Sequence, residues 1–166
     1  MKNHILLISA IIGLLNVSVA QDPSGSASSS ELQTKSDSAP LPAIHELLNR
    51  IGQEAEITAT AETEDSWWIG TGKGVYRIKK KNQKVIHYHS QNMSWPSNNV
   101  TSMCTSPDGQ VYIGTDKGII RYDRFSFLLI NTENSRLNSD NVTALDYLAD
   151  KGIAAETDGN NWYLIK

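Results

Sequence analysis

Two histidines and a glycine-rich run are the residues whose spacing first suggests chemistry. His87 and His89 alternate in an extended segment and therefore share one face, a spacing that can suit a metal ion. No third ligand of the right type stands nearby in the sequence, and a site with two histidines would be weak. Residues 70–74, Gly-Thr-Gly-Lys-Gly, invite comparison with a phosphate loop, but the spacing is wrong and a strand follows instead of a helix. Neither pattern predicts a metal or phosphate site.

The other groups with catalytic potential are four aspartates and one cysteine. Asp108, Asp116, Asp150 and Asp158 occupy turn positions of the repeated pattern described below. Cys104 is the single cysteine, so it cannot form an intramolecular disulfide, and no His or Lys pair flanks it to stabilise a thiolate. We expect a buried, inert thiol. The sequence contains no G-x-S-x-G, H-E-x-x-H or dinucleotide motif. We therefore predict a non-catalytic protein with no cofactor and no metal.

Charge and composition restrict the partners. The 166 residues carry 15 basic and 18 acidic groups, and the net charge of −3 argues against binding to nucleic acid or to an anionic membrane surface. Five basic residues fall within 77–84, a cluster that could bind an anionic polysaccharide or lipid. Such a cluster is more typical of a solvated hairpin turn, where lysines also discourage aggregation between sheets. We interpret it as such a turn.

The N-terminal segment is predicted to direct export. Residues 1–20 have a basic start, a short apolar run and small residues at Ser18 and Ala20, the pattern of a secretory signal peptide. The apolar run is too short to span a bilayer, which makes a membrane anchor the weaker interpretation. Residues 21–42 read as a serine-rich flexible linker. We predict an exported protein, periplasmic or secreted, with no membrane span after signal cleavage.

A short helix and a repeated strand pattern follow. Within 43–55, apolar residues at i, i+3, i+4 and i+7 predict an amphipathic helix that caps an edge or a face of a sheet, with Gly52 as a candidate end. From residue 56 the apolar period becomes two, and residues 68–77 recur as 112–121 with an offset of 44. Repeats of about 40–45 residues that contain several short strands are typical of propeller blades.

Turn residues divide each repeat into strands. The predicted strands are 57–63, 66–71, 75–78 and 85–89 in the first copy, 100–105, 110–115, 119–122 and 127–131 in the second, and 142–148, 152–156 and 161–165 in the third. The third copy has no predicted fourth strand. Gly118, at the end of the hairpin Asp116-Lys117-Gly118, is expected to adopt a positive φ.

Two stretches, NNVTSMCTSPDGQVYIGTDKGIIRYD and WWIGTGKGVYRI, resemble the repeat of the two-component regulator propeller family, and the resemblance covers residues 56–166. It implies an all-β fold of about three antiparallel propeller-type blades, over 56–98, 99–140 and in part 141–166, preceded by the helix. In that family many blades form a periplasmic sensor of extracellular carbohydrate, and a transmembrane kinase follows. Closed propellers have about 4–8 blades, so we expect an open arc, an assembly or a fragment.

The repeat also separates structural side chains from candidates for binding. Bulky residues of the repeated strands, such as Trp68 and Tyr112, are expected in the core, with glycine allowing close packing of sheets. Loops that should share one rim carry the binding candidates, which are Trp95, Asn98, Lys73, Asp116, Lys117 and Arg136. Trp95 ranks first, as an exposed ring that could stack on a sugar or on a partner side chain. The alternative is that Trp95 plugs the space between blades, because the equivalent Leu137 is apolar too.

Three functions from different classes follow. The first is an exported, non-catalytic propeller-repeat module that binds a glycan or a protein through its loop rim. The second is a structural module that completes a propeller with itself or with another propeller protein. The third is a carbohydrate-active enzyme, because some propellers are glycosidases or lyases. We favour the first.

Overall fold

The computed structural model describes residues 44–149, 151–158 and 161–165 of the chain. The predicted signal peptide and the serine-rich linker lie outside these residues. The described part consists of one helix followed by short strands that form three separate sheets. No helix in this part is long and apolar enough to cross a membrane.

Helix α1 spans Ile44–Glu54, close to the predicted 43–55. Its buried stripe consists of apolar residues predicted from their spacing, Leu47, Leu48 and Ile51. The helix continues for two residues beyond Gly52, the candidate end. Gly52 is exposed and a side chain there would meet no neighbour, so the glycine costs about 1 kcal/mol relative to alanine without breaking the helix.

The strands form three antiparallel meanders, which we call blades 1, 2 and 3. Blade 1 contains β1 (Ile57–Glu62), β2 (Ser66–Thr71), β3 (Gly74–Lys79) and β4 (Val85–Tyr88). Blade 2 contains β5 (Val100–Thr105), β6 (Val111–Thr115), β7 (Gly118–Tyr122) and β8 (Phe127–Ile130). Blade 3 contains β9 (Val142–Leu148), β10 (Gly152–Thr157) and β11 (Asn161–Ile165). Every predicted strand is present, and its ends differ from the prediction by at most one residue.

Tight hairpins join the second and third strands of blades 1 and 2. Gly74 and Gly118 have φ values of 111° and 109°, a conformation that favours glycine and confirms the expectation for Gly118. The threonine three residues earlier, Thr71 or Thr115, donates its hydroxyl hydrogen to the glycine carbonyl oxygen at 2.9 or 2.7 Å. The predicted class, an all-β fold of propeller-type blades in an open arrangement, is confirmed.

Neighbouring blades pack face to face through two apolar clusters. The cluster between blades 1 and 2 centres on Trp68 and Tyr122, whose ring centroids are 5.0 Å apart. The cluster between blades 2 and 3 includes Tyr112, Ile119, Leu145 and Ile153. Gly70 makes the first approach possible, since a Cβ at this position would lie only 2.5 Å from Cγ1 of Val100. The repeated glycine therefore allows close packing of sheets, as the sequence predicts.

A repeated hydroxyl contact links the first strands of neighbouring blades. Thr58 Oγ1 donates to the carbonyl oxygen of Val100, and Thr101 Oγ1 donates to that of Val142, both at 2.6 Å. We call these two contacts the threonine latches. Thr143 occupies the corresponding position of blade 3, but its exposed hydroxyl lies 3.3 Å from Glu156 O, within its own blade. Blade 3 thus has the latch residue without a blade beyond it among the described residues.

Helix α1 is attached to the face of blade 1 that points away from blade 2. Trp68 pairs with Arg77 across the β2–β3 ladder, so the neighbouring Tyr76 points to the opposite face of the sheet. The hydroxyl of Tyr76 donates a hydrogen bond to Glu54 Oε2 at 3.0 Å. Lys73 Nζ donates to the carbonyl oxygen of Glu54 at 2.6 Å, at the negative end of the helix dipole. These contacts tie the end of the helix to a sheet face, which agrees with the capping role predicted from its stripe.

The threonine latches predict a graded effect on stability. Thr58→Val and Thr101→Val should each lower the free energy of unfolding by about 1–2 kcal/mol, because a partly buried carbonyl loses its donor. Thr143→Val is the matched control and should change it by less than about 0.5 kcal/mol, as expected for an exposed surface site. Urea unfolding followed by tryptophan fluorescence measures the free energy of unfolding of the three variants. An equal loss of stability in all three would contradict a stabilising role of the threonine latches.

Candidate functional site

Within each of blades 1 and 2, the second-to-third strand hairpin lies beside the connector that follows the fourth strand. The loop rim consists of hairpin residues 72–73 and 116–117 and of connectors 89–99 and 131–141. The two loops of blade 2 touch directly, since Gly118 N donates to the carbonyl oxygen of Asp140 at 2.6 Å. The second connector also reaches blade 3, where Thr157 Oγ1 donates to Asn138 Oδ1 at 2.7 Å. Strands that are fixed by blade packing therefore hold the rim.

Trp95 is buried, so the exposed ring expected from the sequence is wrong. Only 9% of the residue is accessible, and its ring packs against Tyr88 and Phe127 with centroids 6.0 and 5.2 Å away. Leu137, at the corresponding position in the next connector, is buried as well. Each connector folds back and places one apolar residue over the core between blades, as in the alternative reading. Whether Trp95 also contacts a ligand stays a prediction.

Asn98 and Lys73 lie on the rim and have structural partners. Asn98 Oδ1 accepts a hydrogen bond from Ser90 N at 2.6 Å and closes the first connector. Asp140 does the same in the second connector, where its Oδ1 accepts from Thr132 N at 2.7 Å. Lys73 is exposed, but its ammonium contacts the end of helix α1 as described above. Their predicted role in binding remains a prediction.

Asp116, Lys117 and Arg136 differ from the other candidates. Lys117 and Arg136 are exposed, and within the described part of the chain their charged groups form neither a salt bridge nor a hydrogen bond. One carboxylate oxygen of Asp116, Oδ1, is buried without a hydrogen-bond partner there. These residues belong to the two rim loops that Gly118 and Asp140 join. The uncommitted charges of the rim are thus concentrated on blade 2.

The two histidines are engaged in packing. The ring of His87 stacks on Tyr76 with centroids 4.0 Å apart, and its Nε2 lies 2.9 Å from Lys73 O. His89 lies next to it, 4.7 Å between ring centroids. Over the described ranges, no group of three or more His, Cys, Asp or Glu side chains could hold a metal ion. The arrangement offers a metal no third ligand.

Arg77 is a buried charged residue, so its predicted place in a solvated turn is wrong. It lies in β3 and is only 8% accessible. Its guanidinium donates hydrogen bonds of 2.8 Å to three acceptors, which are Ser66 Oγ, Tyr122 OH and Asp65 Oδ2. The same group lies over the rings of Trp68 and Tyr122, 4.9 and 5.1 Å from the centroids. Arg77 therefore binds blade 1 to blade 2.

Electrostatics support this role of Arg77. Burial opposes its charge, but the neighbouring Tyr88 and Tyr122 side chains and the Asp65 carboxylate together raise the pKa of the guanidinium. Two signals in the sequence indicate the burial. Arg77 is in phase with Trp68 across the hairpin, and an arginine recurs at the corresponding position of the next blade, Arg121.

Comparison with known proteins agrees with this architecture. Residues 94–117 match the family described as two component regulator propeller. The extracellular domain of BT4673 from Bacteroides thetaiotaomicron, described as a one component system, is similar in structure, with a TM-score of 0.51 and 22% identity over 62% of this chain and 14% of that one. The extracellular domain of BT3049 from the same organism, described as a hybrid two component system, has a TM-score of 0.51 and 21% identity over 60% of this chain and 14% of that one. No curated protein matches.

These similarities show the fold, and the resemblance stated from the sequence is confirmed. The chain contains a repeat of the two-component regulator propeller type and is similar to extracellular propeller domains of such systems. It spans 14% of the length of these solved domains.

Cys104 provides a test of the packing of β5. Burial, with a smaller contribution from Asp146, raises the pKa of its thiol to about 12. At pH 8 the native protein therefore holds far less thiolate than the unfolded chain, whose thiol titrates at about 8.5. We expect iodoacetamide to alkylate the native protein at least about 100-fold more slowly than the protein unfolded in guanidinium. Cys104 is partly buried against the cluster between blades 2 and 3, and not fully buried as expected from the sequence. Mass spectrometry follows this single thiol, and similar rates would contradict that packing.

Proposed function

We propose that this protein is an exported, non-catalytic binding module that contacts a glycan or a protein through the loop rim of blade 2. The observation that carries the proposal is the set of uncommitted charges on two adjoining loops, Asp116, Lys117 and Arg136. Binding residues are often found on loops that a rigid scaffold positions. The solved domains similar to this chain are described as extracellular, which supports export.

Two of the turn aspartates, Asp108 and Asp158, support a non-catalytic role, whereas Asp150 lies outside the described residues. Hydrogen bonds from Ser106 and Gln110 lower the pKa of Asp108, and those from Ser139 and Asn141 lower the pKa of Asp158. A general acid at neutral pH needs the opposite shift, towards a pKa near 7. These carboxylates stabilise turns, and we assign them no role in bond cleavage.

The charges of the rim favour a particular ligand chemistry. Lys117 and Arg136 are two cations without internal partners in the described structure, and together they suit a carboxylate or sulfate group. Oδ1 of Asp116 is buried, so a ligand would meet only the rest of the carboxylate of this partly exposed residue, which can accept a hydrogen bond from a hydroxyl group. An acidic glycan offers both kinds of group, so we favour it over a protein ligand.

Substitution on the rim tests this proposal. Among oligosaccharides on a glycan array, we expect acidic ones to bind, and Lys117→Ala and Arg136→Ala should each weaken binding in calorimetry by about 10-fold, the loss of roughly 1.4 kcal/mol. Lys81→Ala is the matched control, because Lys81 is an exposed lysine in the β3–β4 turn of blade 1, at the end of the sheet opposite the rim. Trp95→Ala is unsuitable, since it opens a cavity in the core.

Two results would reject the proposal. One is that no acidic glycan and no protein ligand binds the folded chain. The other is that a ligand binds with unchanged affinity to the double variant of Lys117 and Arg136. Hydrolysis of any glycan in the panel would instead reject the non-catalytic part.

A further inference from the structure

A groove opens between the outer strands of blades 2 and 3. It has a volume of about 880 Å³, and we call it the strand groove. Its walls come from β8, from β11 and from two arginines; the residues that matter here are Arg121, Leu128, Ile130, Trp162, Leu164 and Ile165. Leu128, at 47% exposure, faces this groove, whereas Trp162 at 52% and Leu164 at 43% border it from the other face of β11, because they alternate with Ile165, which packs toward blade 2. Exposed apolar surface on both sides of a free strand edge marks an interaction site.

The repeat shows what fills the corresponding space in the neighbouring blade. In blade 2 the fourth strand, β8, pairs with β7 and places Phe127 against Tyr88, Tyr122 and Trp95, with centroids 4.9, 4.8 and 5.2 Å away. In blade 3, β11 pairs with β10, and its other edge has no strand beside it in the described part. The strand groove is therefore the position of a fourth strand.

The floor of the groove suits an apolar side chain. Sheet register makes Ile130 the counterpart of Tyr88, because both stand opposite the residue that follows the hairpin glycine. Ile165 is the counterpart of Tyr122, because each stands opposite a residue at the start of the preceding strand. Tyr122 pairs with Val111 in β6, and Ile165 pairs with Ile153 in β10. Ile130 and Ile165 both line the groove. An incoming side chain at the position of Phe127 would thus meet two isoleucines.

Arg121, in the wall of the groove, favours an acidic group on the incoming segment. Its counterpart Arg77 has three acceptors, whereas Nε of Arg121 is buried with no hydrogen-bond partner in the described structure. The offset of 44 puts Gly109 at the position of Asp65, and the sheet register puts Ile165 of blade 3 at the position of Tyr122, so neither position supplies a side-chain acceptor. Arg121 is partly exposed and lies near the Tyr112 hydroxyl and the Asp123 carboxylate, but its buried Nε has no acceptor, and an acceptor on an incoming segment would satisfy it.

We propose that the strand groove receives an extended segment of a partner protein, which pairs antiparallel with β11 and adds a fourth strand to blade 3. The segment places an apolar side chain on Ile130 and Ile165 and an acidic side chain at Arg121. Strand addition is a common mode of peptide recognition, in which the free backbone edge supplies affinity and side-chain pockets supply specificity. Arg136 lines the groove as well as belonging to the rim, so Lys117 is the rim residue whose substitution separates this proposal from ligand binding at the rim.

Two observations favour a partner segment over other occupants. A row of free backbone groups along β11, above an apolar floor, suits a peptide better than a sugar. A second copy of this chain has its own fourth strands, β4 and β8, already paired with β3 and β7. The partner therefore supplies an unpaired segment with alternating apolar residues and one acid.

Peptides based on the chain's own fourth strand provide the probe. A synthetic peptide of residues 123–131 is made with Phe125→Glu, two positions before Phe127 and hence on the same face in a strand. A second peptide carries Phe125→Gln. Fluorescence anisotropy of the labelled peptides with the full chain should give saturable binding, about 10-fold tighter for the glutamate peptide. Arg121→Gln in the protein should abolish this difference.

Matched surface variants locate the binding. Leu128→Asn, within the groove, should weaken binding of the glutamate peptide by about 10-fold. Phe125→Asn in the protein is the control, because Phe125 is equally apolar, 95% exposed and outside the groove, and it should leave the affinity within about 2-fold. Both positions are exposed, so neither variant should unfold the protein.

Several outcomes would overturn the proposal. They are no binding of either peptide, equal affinity for the glutamate and glutamine peptides, and equal effects of Leu128→Asn and Phe125→Asn. A dimer seen in sedimentation and lost in Leu128→Asn would assign the groove to a second copy. A glycan whose binding depends on Leu128 but not on Lys117 would assign it to a sugar. Each of these results leaves the rim proposal to be decided by its own variants.

Discussion

The contact between neighbouring blades is the interaction on which the rest of this structure depends. A blade is a small sheet with two apolar faces, and it can bury them only against another element. Arg77 shows how specific that contact is, because its buried guanidinium takes acceptors from both blades and lies against Trp68 and Tyr122. Losing one partner would leave a buried cation incompletely paired, which is costly. The close approach at Gly70 and the threonine latches then fix the position of the first strands.

The need for a neighbour has different consequences at the two ends of the array. At blade 1, Glu54 at the end of helix α1 is hydrogen-bonded to residues on the outer face of the sheet. The helix therefore covers the face against which a preceding blade would pack. At blade 3, the latch residue Thr143, the outward Trp162 and the free edge of β11 have no such cover in the described structure. Between these ends the packed blades hold the loop rim, whose structure uses some polar residues and leaves Lys117 and Arg136 available. Binding at the rim and strand addition at the groove thus follow from one architecture.

The strands and the fold class could be predicted from sequence because several local signals agree. Period-two apolar residues, turn residues and a repeat offset of 44 all give the same boundaries, and glycine at Gly118 satisfies the hairpin conformation. The errors concern tertiary packing. Trp95 lies in a polar connector, and only the fold shows that the connector returns over the core; its repeat partner Leu137 was the available clue. Arg77 is the first residue of a basic run, which suggests an exposed turn. Its position in the sheet register, opposite Trp68, places it on the buried face instead. The strand groove could not be predicted, since its walls come from strands far apart in sequence.

Hydrogen exchange at single-residue resolution tests the central claim, that the array is open at blade 3, most directly. In β7, which has a strand on each side, the amides of both alternating sets should be protected. In β11 only the set that faces β10 should be protected, and the other set should exchange as freely as loop amides. Uniform protection along β11, equal to that of β7, would contradict the account, because it would mean that the edge is already covered.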